Sequence, residues 1–150
     1  MPRSRLLRAL CCASIAAVSA GCARGTRPDS PRLEGRTVAL LPMDNRSNDL
    51  RAPEKARDGV FEAMGKSGYR VLDLAAIDQA MDSLGVHYGG QLSAVPLGSL
   101  REALAADVYC YGTVVEYGFK SAVALTQRKV ELRLRCVDPG GGPVFDGSGV

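Results

Sequence analysis

A cysteine near the N-terminus is the residue whose chemistry the sequence specifies best. The chain opens with three arginines and no acidic residue, and residues 9–18 form an apolar run. A run of that length suits a secretion signal but is too short to span a bilayer, which takes about 20 residues. Small residues (Ser19, Ala20 and Gly21) then lead into Cys22, whose thiol is where a diacylglycerol would be attached. We therefore predict a lipoprotein signal peptide over residues 1–21 and lipidation at Cys22.

The alternative is an ordinary cleaved signal, in which Cys22 is an incidental thiol. It stays open because Ser19 stands where such signals usually have an aliphatic residue, and Val18 lies one position further back. With lipidation, the acyl chains anchor the protein durably, since each buried CH2 contributes about 0.8 kcal/mol. Residue 23 is alanine rather than aspartate. By resemblance to other lipoproteins, we expect the outer membrane, with the domain in the periplasm or exposed at the cell surface.

The charge and length of the chain change once the signal peptide is set aside. The formal charge of the whole chain is +3, and the three arginines of the signal account for all of it. The mature chain is therefore neutral, which gives no argument for a nucleic-acid partner. We predict a flexible tether over residues 22–35, because it is rich in proline, glycine and charge. Residues 36–150 are long enough for a single domain.

Two further cysteines, Cys110 and Cys136, form an even pair in the mature chain. Of the five cysteines, two others leave with the signal peptide and Cys22 is assigned to the lipid. If the strands that contain them form a hairpin centred near residue 123, the two thiols lie almost opposite each other. A disulfide and a pair of buried free thiols both fit this placement. A nucleophilic role for Cys110 is disfavoured, because the alternation of Val108 and Val114 around it is typical of a core strand.

Other candidate groups point to turns rather than to catalysis. His87 is the only histidine and has no metal-ligand spacing around it, so we predict an exposed loop residue and no metal site. A polar cluster after the first strand is the one candidate ligand loop, although its side chains also suit a capping turn. It comprises Asp44, Asn45, Ser47, Asn48 and Asp49. The glycine groups at 89–90 and 140–142 lack the features of phosphate loops and are predicted to be turns.

The hydrophobic pattern predicts an α/β (α+β) domain with the order β-α-β-α-α-β-β-β. Residues 128–137 alternate between apolar and charged side chains, as in an antiparallel strand with one solvated face. Tyr109, Tyr111 and Tyr117 share one parity, so we expect them on one face of their strand. The predicted strands cover residues 37–41, 69–72, 107–117, 128–137 and 143–145, and the predicted helices cover 53–66, 75–84 and 97–105.

Several short segments, in this order and behind this signal, resemble a family of bacterial lipoproteins of unknown function that includes a vaccine-candidate antigen. The family is similar to the N-terminal domain of TolB and to periplasmic domains of CsgG-type lipoproteins. The resemblance implies a mixed sheet packed by helices and a role in envelope assembly or transport. It also implies more chain after residue 150, so that the C-terminal end of the fold is incomplete here. The matching segments are residues 38–42 with Asn45 and Ser47, 68–71, 106–109, 115–118, 137–138 and 144–147.

Together these features predict a lipid-anchored, non-catalytic envelope lipoprotein without a cofactor. We expect it to bind other envelope proteins or its own copies. The alternative is a small-ligand-binding accessory lipoprotein of a transport system, which would use the polar loop after the first strand. An enzyme is disfavoured because the sequence shows no nucleophile with a base and no pair of acid–base groups.

Overall fold

A computed structural model describes residues 33–122 and 125–149, and the side chains of all of these except 119–128. The predicted signal peptide, Cys22 and the tether up to residue 32 lie outside the described residues. None of the described helices is long and apolar enough to cross a membrane. The strands are β1 (Thr37–Leu40), β2 (Asp44–Asn45), β3 (Arg70–Val71), β4 (Val108–Ala122), β5 (Leu125–Val137) and β6 (Pro143–Gly149); the helices are α1 (Ala52–Lys66), α2 (Leu74–Ser83) and α3 (Leu97–Ala103), with a 3-10 helix at Gly89–Ala94.

The strands form one mixed sheet in the order β3-β1-β4-β5-β6, and β2 pairs with β4 beyond the end of β1. β1 runs parallel to both β3 and β4, whereas β4, β5 and β6 are antiparallel to their neighbours along the rest of the sheet. The predicted α/β class and element order are therefore confirmed. The sequence did not predict the two-residue strand β2, and the stretch predicted as a loop before α3 contains the 3-10 helix.

The helix ends follow the local chemistry of the sequence. Pro53 lies in the first turn of α1, where its missing N–H costs no hydrogen bond. The carboxylate of Asp73 caps α2 by accepting a hydrogen bond from the backbone N–H of Ala76 at 3.2 Å. Gly68 and Gly85 follow α1 and α2 with φ of 83° and 73°, the left-handed conformation that ends many helices. These residues set the lengths of both helices.

The sheet is covered by helices on both faces, because consecutive strand side chains point to opposite sides. On the α1 face, α1 packs over Val38, Leu40, Val108 and Val114. On the α2 face, the other helices pack over Ala39, Leu41, Tyr109 and Val137, contributing Ile77, Met81, Leu92 and Leu100. The central residues of the strands are fully buried. The short apolar run of β1 therefore contributes side chains to the core on both faces of the sheet.

The folded domain begins before the boundary predicted at residue 36. Leu33 is only 5% exposed and packs with the core of the α1 face. A turn comes next, in which the backbone N–H of Arg36 bonds to the carbonyl of Leu33 at 3.2 Å. Residues 33–35 therefore belong to the domain rather than to the tether.

The three tyrosines of β4 do not share one face, so that prediction was wrong. Tyr109 and Tyr111 lie on the α2 face, whereas Tyr117 packs against the core of the α1 face. A β-bulge between Val114 and Glu116 shifts the register by one residue and reverses the parity of the later part of β4. Sequence alternation alone does not show where such an extra residue is inserted.

Candidate functional site

The carboxyl end of β1 is where an open α/β sheet would be expected to bind a ligand. In this chain Arg57 of α1 fills that position and is only 8% exposed. Its Nε donates to the carbonyl of Leu40 at 3.0 Å, and its Nη1 donates to the carboxylate of Asp78 at 2.5 Å. β3 ends at Val71, so the carbonyl of Leu40 bonds to the guanidinium of Arg57 instead of to a residue of β3. Through this bond and the one to Asp78, Arg57 connects α1 with β1 and α2.

The second terminal nitrogen of Arg57, Nη2, is buried and has no hydrogen-bond partner among the described residues. Because this nitrogen is buried, an external ligand could contact it only after the surrounding side chains had moved. Arg57 therefore closes the crevice rather than opening it. Neither its burial nor its partner could be recognised in the sequence, where it is one charged residue of an amphipathic helix.

The predicted ligand loop folds into a compact network of its own hydrogen bonds. The side-chain oxygen of Asn45 accepts from the backbone N–H and the hydroxyl of Ser47, at 2.9 and 2.8 Å. The carboxylate of Asp49 accepts from the backbone N–H of Arg51 at 2.8 Å and lies 3.4 Å from the ammonium of Lys55. The backbone bond from Arg51, with help from Lys55, lowers the pKa of Asp49. The side chains of Asn45 and Asp49 thus each accept from a backbone N–H two residues further on, while the N-cap residue of α1, Arg51, has no side-chain cap bond.

The two remaining residues of this loop are Asp44, at its start, and Asn48. Asp44 is in β2, 3.5 Å from the guanidinium of Arg46, and Asn48 is exposed at the tip. β2 holds the loop on the sheet by pairing with Thr113 and Val114. The residues that the structure describes contain no group of three or more His, Cys, Asp or Glu arranged to hold a metal ion.

One member of a glycine pair that was predicted to be a simple turn packs tightly against the backbone of another segment. Gly89 starts the 3-10 helix against the main chain of Met43 and Asp44. A Cβ atom on Gly89 would lie only 2.1 Å from the carbonyl carbon of Met43. Gly112 of β4 lies beneath the side chain of Met43 in the same region. An isolated strand glycine is a signal of such proximity, but the contact of Gly89 is made across the fold and has no local signature.

The loop before the 3-10 helix exposes an aromatic side chain. His87 lies on the surface, as predicted, with its Nδ1 3.3 Å from the carboxylate of Asp82. The side-chain oxygen of Gln91 accepts from the backbone N–H groups of His87 and Tyr88, at 2.7 and 2.9 Å. These bonds fix the backbone of the loop while 74% of Tyr88 stays exposed.

Cys110 and Cys136 are directly opposite each other in the β4–β5 register, and both are fully buried. The structure joins their sulfur atoms at 2.01 Å, with the Cα atoms 4.0 Å apart. The bond lies between the parallel and the antiparallel parts of the sheet. That the bridge forms in the mature protein remains a prediction.

β4 and β5 pair with each other beyond the stretches where β2 and β6 pair with them in the described residues. β2 pairs with β4 only as far as Val114, and β6 pairs with β5 only from Leu132 onward. We call residues 116–122 and 125–131 the hairpin arm. At its base the ammonium of Lys129 donates to the carboxylate of Glu116 at 2.6 Å and lies 3.6 Å from Glu131, and the bond to Glu116 raises the pKa of Lys129. The ammonium of Lys55 lies 5.4 Å from the ring centre of Tyr117, which links the arm to α1.

The two ends of the domain differ in what they carry. At one end, which we call the tether end, β1 begins beside an open polar cleft of about 610 Å³ that is lined by Gly35, Arg36 and the turn after β5. Because β4 runs parallel to β1, the hairpin arm projects from the opposite end. The polar loop and the 3-10 helix lie at the same end, which we call the arm end. Leu50 (91% exposed) and Tyr88 are the large exposed apolar side chains of the described residues.

The comparison with protein families matches residues 31–149 to the family described as "Putative lipoprotein GNA1162-like". The chain belongs to the GNA1162-like lipoprotein family. The family resemblance predicted from the short sequence segments is therefore confirmed, whereas the likeness to TolB and CsgG remains a prediction. No curated protein sequence is significantly similar to the chain.

Solved structures show the same fold in other proteins of low sequence identity. Lipoprotein GNA1162 from Neisseria meningitidis has a TM-score of 0.67 and 23% identity, over 75% of this chain and 79% of that one. The C-terminal domain of LpoB from Salmonella enterica has a TM-score of 0.52 and 15% identity, over 77% and 81%. PelC from Paraburkholderia phytofirmans, which was solved as a dodecamer, has a TM-score of 0.50 and 17% identity, over 77% and 70%. At these identities the likeness concerns the fold alone.

Proposed function

We propose that the protein is a non-catalytic lipoprotein, anchored at the outer membrane through Cys22, whose periplasmic domain binds other envelope proteins during assembly or transport. Membership of a lipoprotein family and the small residues before Cys22 support the anchor. In this proposal the domain acts by presenting a binding surface near the membrane rather than by transforming a substrate.

The arm end supports this proposal, because it combines exposed apolar side chains with the long β4–β5 hairpin. Leu50 and Tyr88 expose apolar surface on loops that are both tied to β2, and the hairpin arm extends beside them. Contiguous apolar surface marks protein contact sites, and in this proposal Leu50 and Tyr88 belong to one such surface. Arg57 meanwhile fills the position at the end of β1, and the side chains of the polar loop that the small-ligand alternative would use bond mainly within the loop.

A photo-crosslinking amino acid tests the surface in intact cells that produce the full-length chain. We expect the crosslinker at Tyr88 or Leu50 to capture a protein, and the same group at Arg36 on the tether end to capture much less. All three positions are exposed, so the difference would report on the surface rather than on access. Equal capture at all three positions, or none at any, would contradict the proposed binding surface.

The anchor has its own test, in which Cys22→Ala removes the thiol that carries the lipid. We expect the variant to appear in the soluble fraction after cell lysis, because the acyl chains supply the membrane affinity. Cys110→Ala is the matched control, since it also removes a cysteine but leaves the anchor, and it should remain with the membranes. A Cys22→Ala protein that still sediments with the membranes would refute the lipid anchor.

A further inference from the structure

The disulfide lies in a row of side chains that crosses four strands of the sheet. Leu40, Cys110, Cys136 and Phe145 are successive partners in the registers of β1, β4, β5 and β6. All four side chains pack in the core on the α1 face, and both cysteines are fully buried. A thiolate must reach a sulfur atom of a disulfide before the two can exchange. Because α1 packs over this core, the position of α1 governs access to the bridge.

The sequence of α1 makes it a weak helix for its length. Gly59 and Gly65 lie inside it, and glycine favours the helical conformation much less than alanine does. The Cβ position of each glycine is surrounded by open space, so close packing requires neither of them. The N-cap residue, Arg51, makes no side-chain cap bond, although such a bond commonly stabilises the first turn. These features lower the free energy that is needed to unfold α1 locally.

Arg57 fixes α1 beside the bridge, but one of its nitrogen atoms is unpaired in the closed structure. Its Nε donates to the carbonyl of Leu40, which is the register partner of Cys110, and its Nη1 donates to the carboxylate of Asp78. Its Nη2 is buried without a hydrogen-bond partner in the described part of the chain. A buried, unpaired N–H of a charged group is unfavourable, and it bonds to water again once α1 moves away. Two bonds of Arg57 therefore hold α1 closed, while its third donor favours opening.

We propose that α1 opens by local unfolding and that the open form exchanges the Cys110–Cys136 disulfide with an external dithiol. One thiolate of the dithiol attacks the sulfur of one cysteine, the S–S bond breaks, and the other cysteine leaves as a thiolate that takes up a proton. The second thiolate attacks the mixed disulfide, releases the remaining cysteine as a thiol and closes the dithiol into a disulfide. Two electrons thus pass to the bridge, and β4 and β5 lose their crosslink. The stability of the domain thereby responds to the dithiols that reach it.

The rate of reduction of the full-length protein in detergent micelles tests the role of α1. Dithiothreitol starts the reaction, alkylation stops it, and the masses of the peptides that contain Cys110 and Cys136 report the fraction reduced. Gly59→Ala favours the helix, so we expect it to slow reduction about two- to fivefold. A rate for Gly59→Ala equal to that of the wild type would overturn the proposal.

Leu100→Ala distinguishes local opening of α1 from unfolding of the whole domain. Leu100 is fully buried in the core on the opposite face of the sheet from α1, so its truncation lowers the stability of the domain without touching α1. We expect its reduction rate to stay within about twofold of the wild-type rate. Reduction through global unfolding would instead be more than about tenfold faster in this variant and would overturn the proposal. The wild type in low urea makes the same distinction without a variant, because a rate that rises as steeply as the unfolding transition would also exclude local opening.

Asp78→Ala tests the contribution of Arg57, because it removes one of the two bonds that hold α1 closed. We expect reduction to become about fivefold faster. Glu62→Ala is the matched control, since it removes a carboxylate that pairs with Lys66 on the exposed side of α1, and its rate should stay within about twofold of the wild type. Equal rates for the two variants would contradict the role of Arg57.

The state of the cysteines before reduction supplies the last outcome of this experiment. We expect no alkylation of Cys110 or Cys136 in the unfolded protein before dithiothreitol is added. Two thiols that alkylate at that stage would overturn the exchange step, because there would be no bridge to exchange. The proposed function would be unaffected by that result, since crosslinking at Tyr88 tests it separately.

Discussion

Replacing both Cys110 and Cys136 by alanine is expected to lower the free energy of unfolding by about 3 kcal/mol. The two residues are 26 positions apart, and a crosslink over a loop of this length removes about that much conformational freedom from the unfolded chain. Both sites are fully buried, so loss of the sulfur atoms adds a smaller packing cost. Denaturant unfolding of the soluble domain would measure the difference.

The reduced wild-type protein provides the matched control. A reductant should destabilise the wild type by a similar amount and leave the alanine variant unchanged, because only the wild type has a bond to break. Intact mass after alkylation under denaturing conditions without reductant should show no modified Cys110 or Cys136. Two alkylated thiols would show that the buried free-thiol alternative is correct, and the expected loss of stability would then shrink to the packing term.

The disulfide also shows how far the sequence could predict long-range contacts. The alternation around Cys110 and Cys136 identified both as inward-facing, and a simple hairpin centred near residue 123 brought them opposite each other. The observed register pairs them directly, and the bulge between Val114 and Glu116 lies between this pair and the hairpin turn, where it sets the register of the cysteines. The same bulge made the prediction for Tyr117 wrong, because it lies between that residue and the two other tyrosines. The residue inserted at this bulge affects both the predicted pairing of the cysteines, which was correct, and the predicted face of Tyr117, which was wrong.

The candidate site was less predictable than the fold, for a physical reason. Strand and helix patterns are periodic and local, so β1, α1 and β5 could be recognised from nearby residues. Arg57 and Gly89 act through a few contacts with segments distant in the sequence, among them the carbonyl of Leu40 and the backbone of Met43. The polar loop had two interpretations in the sequence, and its side chains bond mainly within the loop and to its own backbone. Only the packed structure distinguishes a surface arginine from one that closes a crevice.

Gly89→Ala is the second substitution with a large expected effect, a loss of about 3 kcal/mol in the free energy of unfolding. Its Cβ would lie 2.1 Å from the carbonyl carbon of Met43 and 2.3 Å from the backbone nitrogen of Asp44. Both atoms belong to the main chain, so no side chain can rotate away, and the 3-10 helix has to separate from β2. Overpacking of this kind costs about 1–3 kcal/mol, and a fixed backbone neighbour places it at the upper end.

Gly59→Ala is the matched control, because it adds the same methyl group in the middle of α1, where nothing lies within 4 Å. Alanine forms helix more readily than glycine, so this variant should gain about 0.5–1 kcal/mol. Gly89→Ala should also alter the arm end, since β2 holds the polar loop and the 3-10 helix positions Tyr88. We therefore expect it to reduce crosslinking at Tyr88 even at temperatures where the domain remains folded. Unchanged stability and unchanged capture would show that the approach of Gly89 to Met43 is not tight in solution.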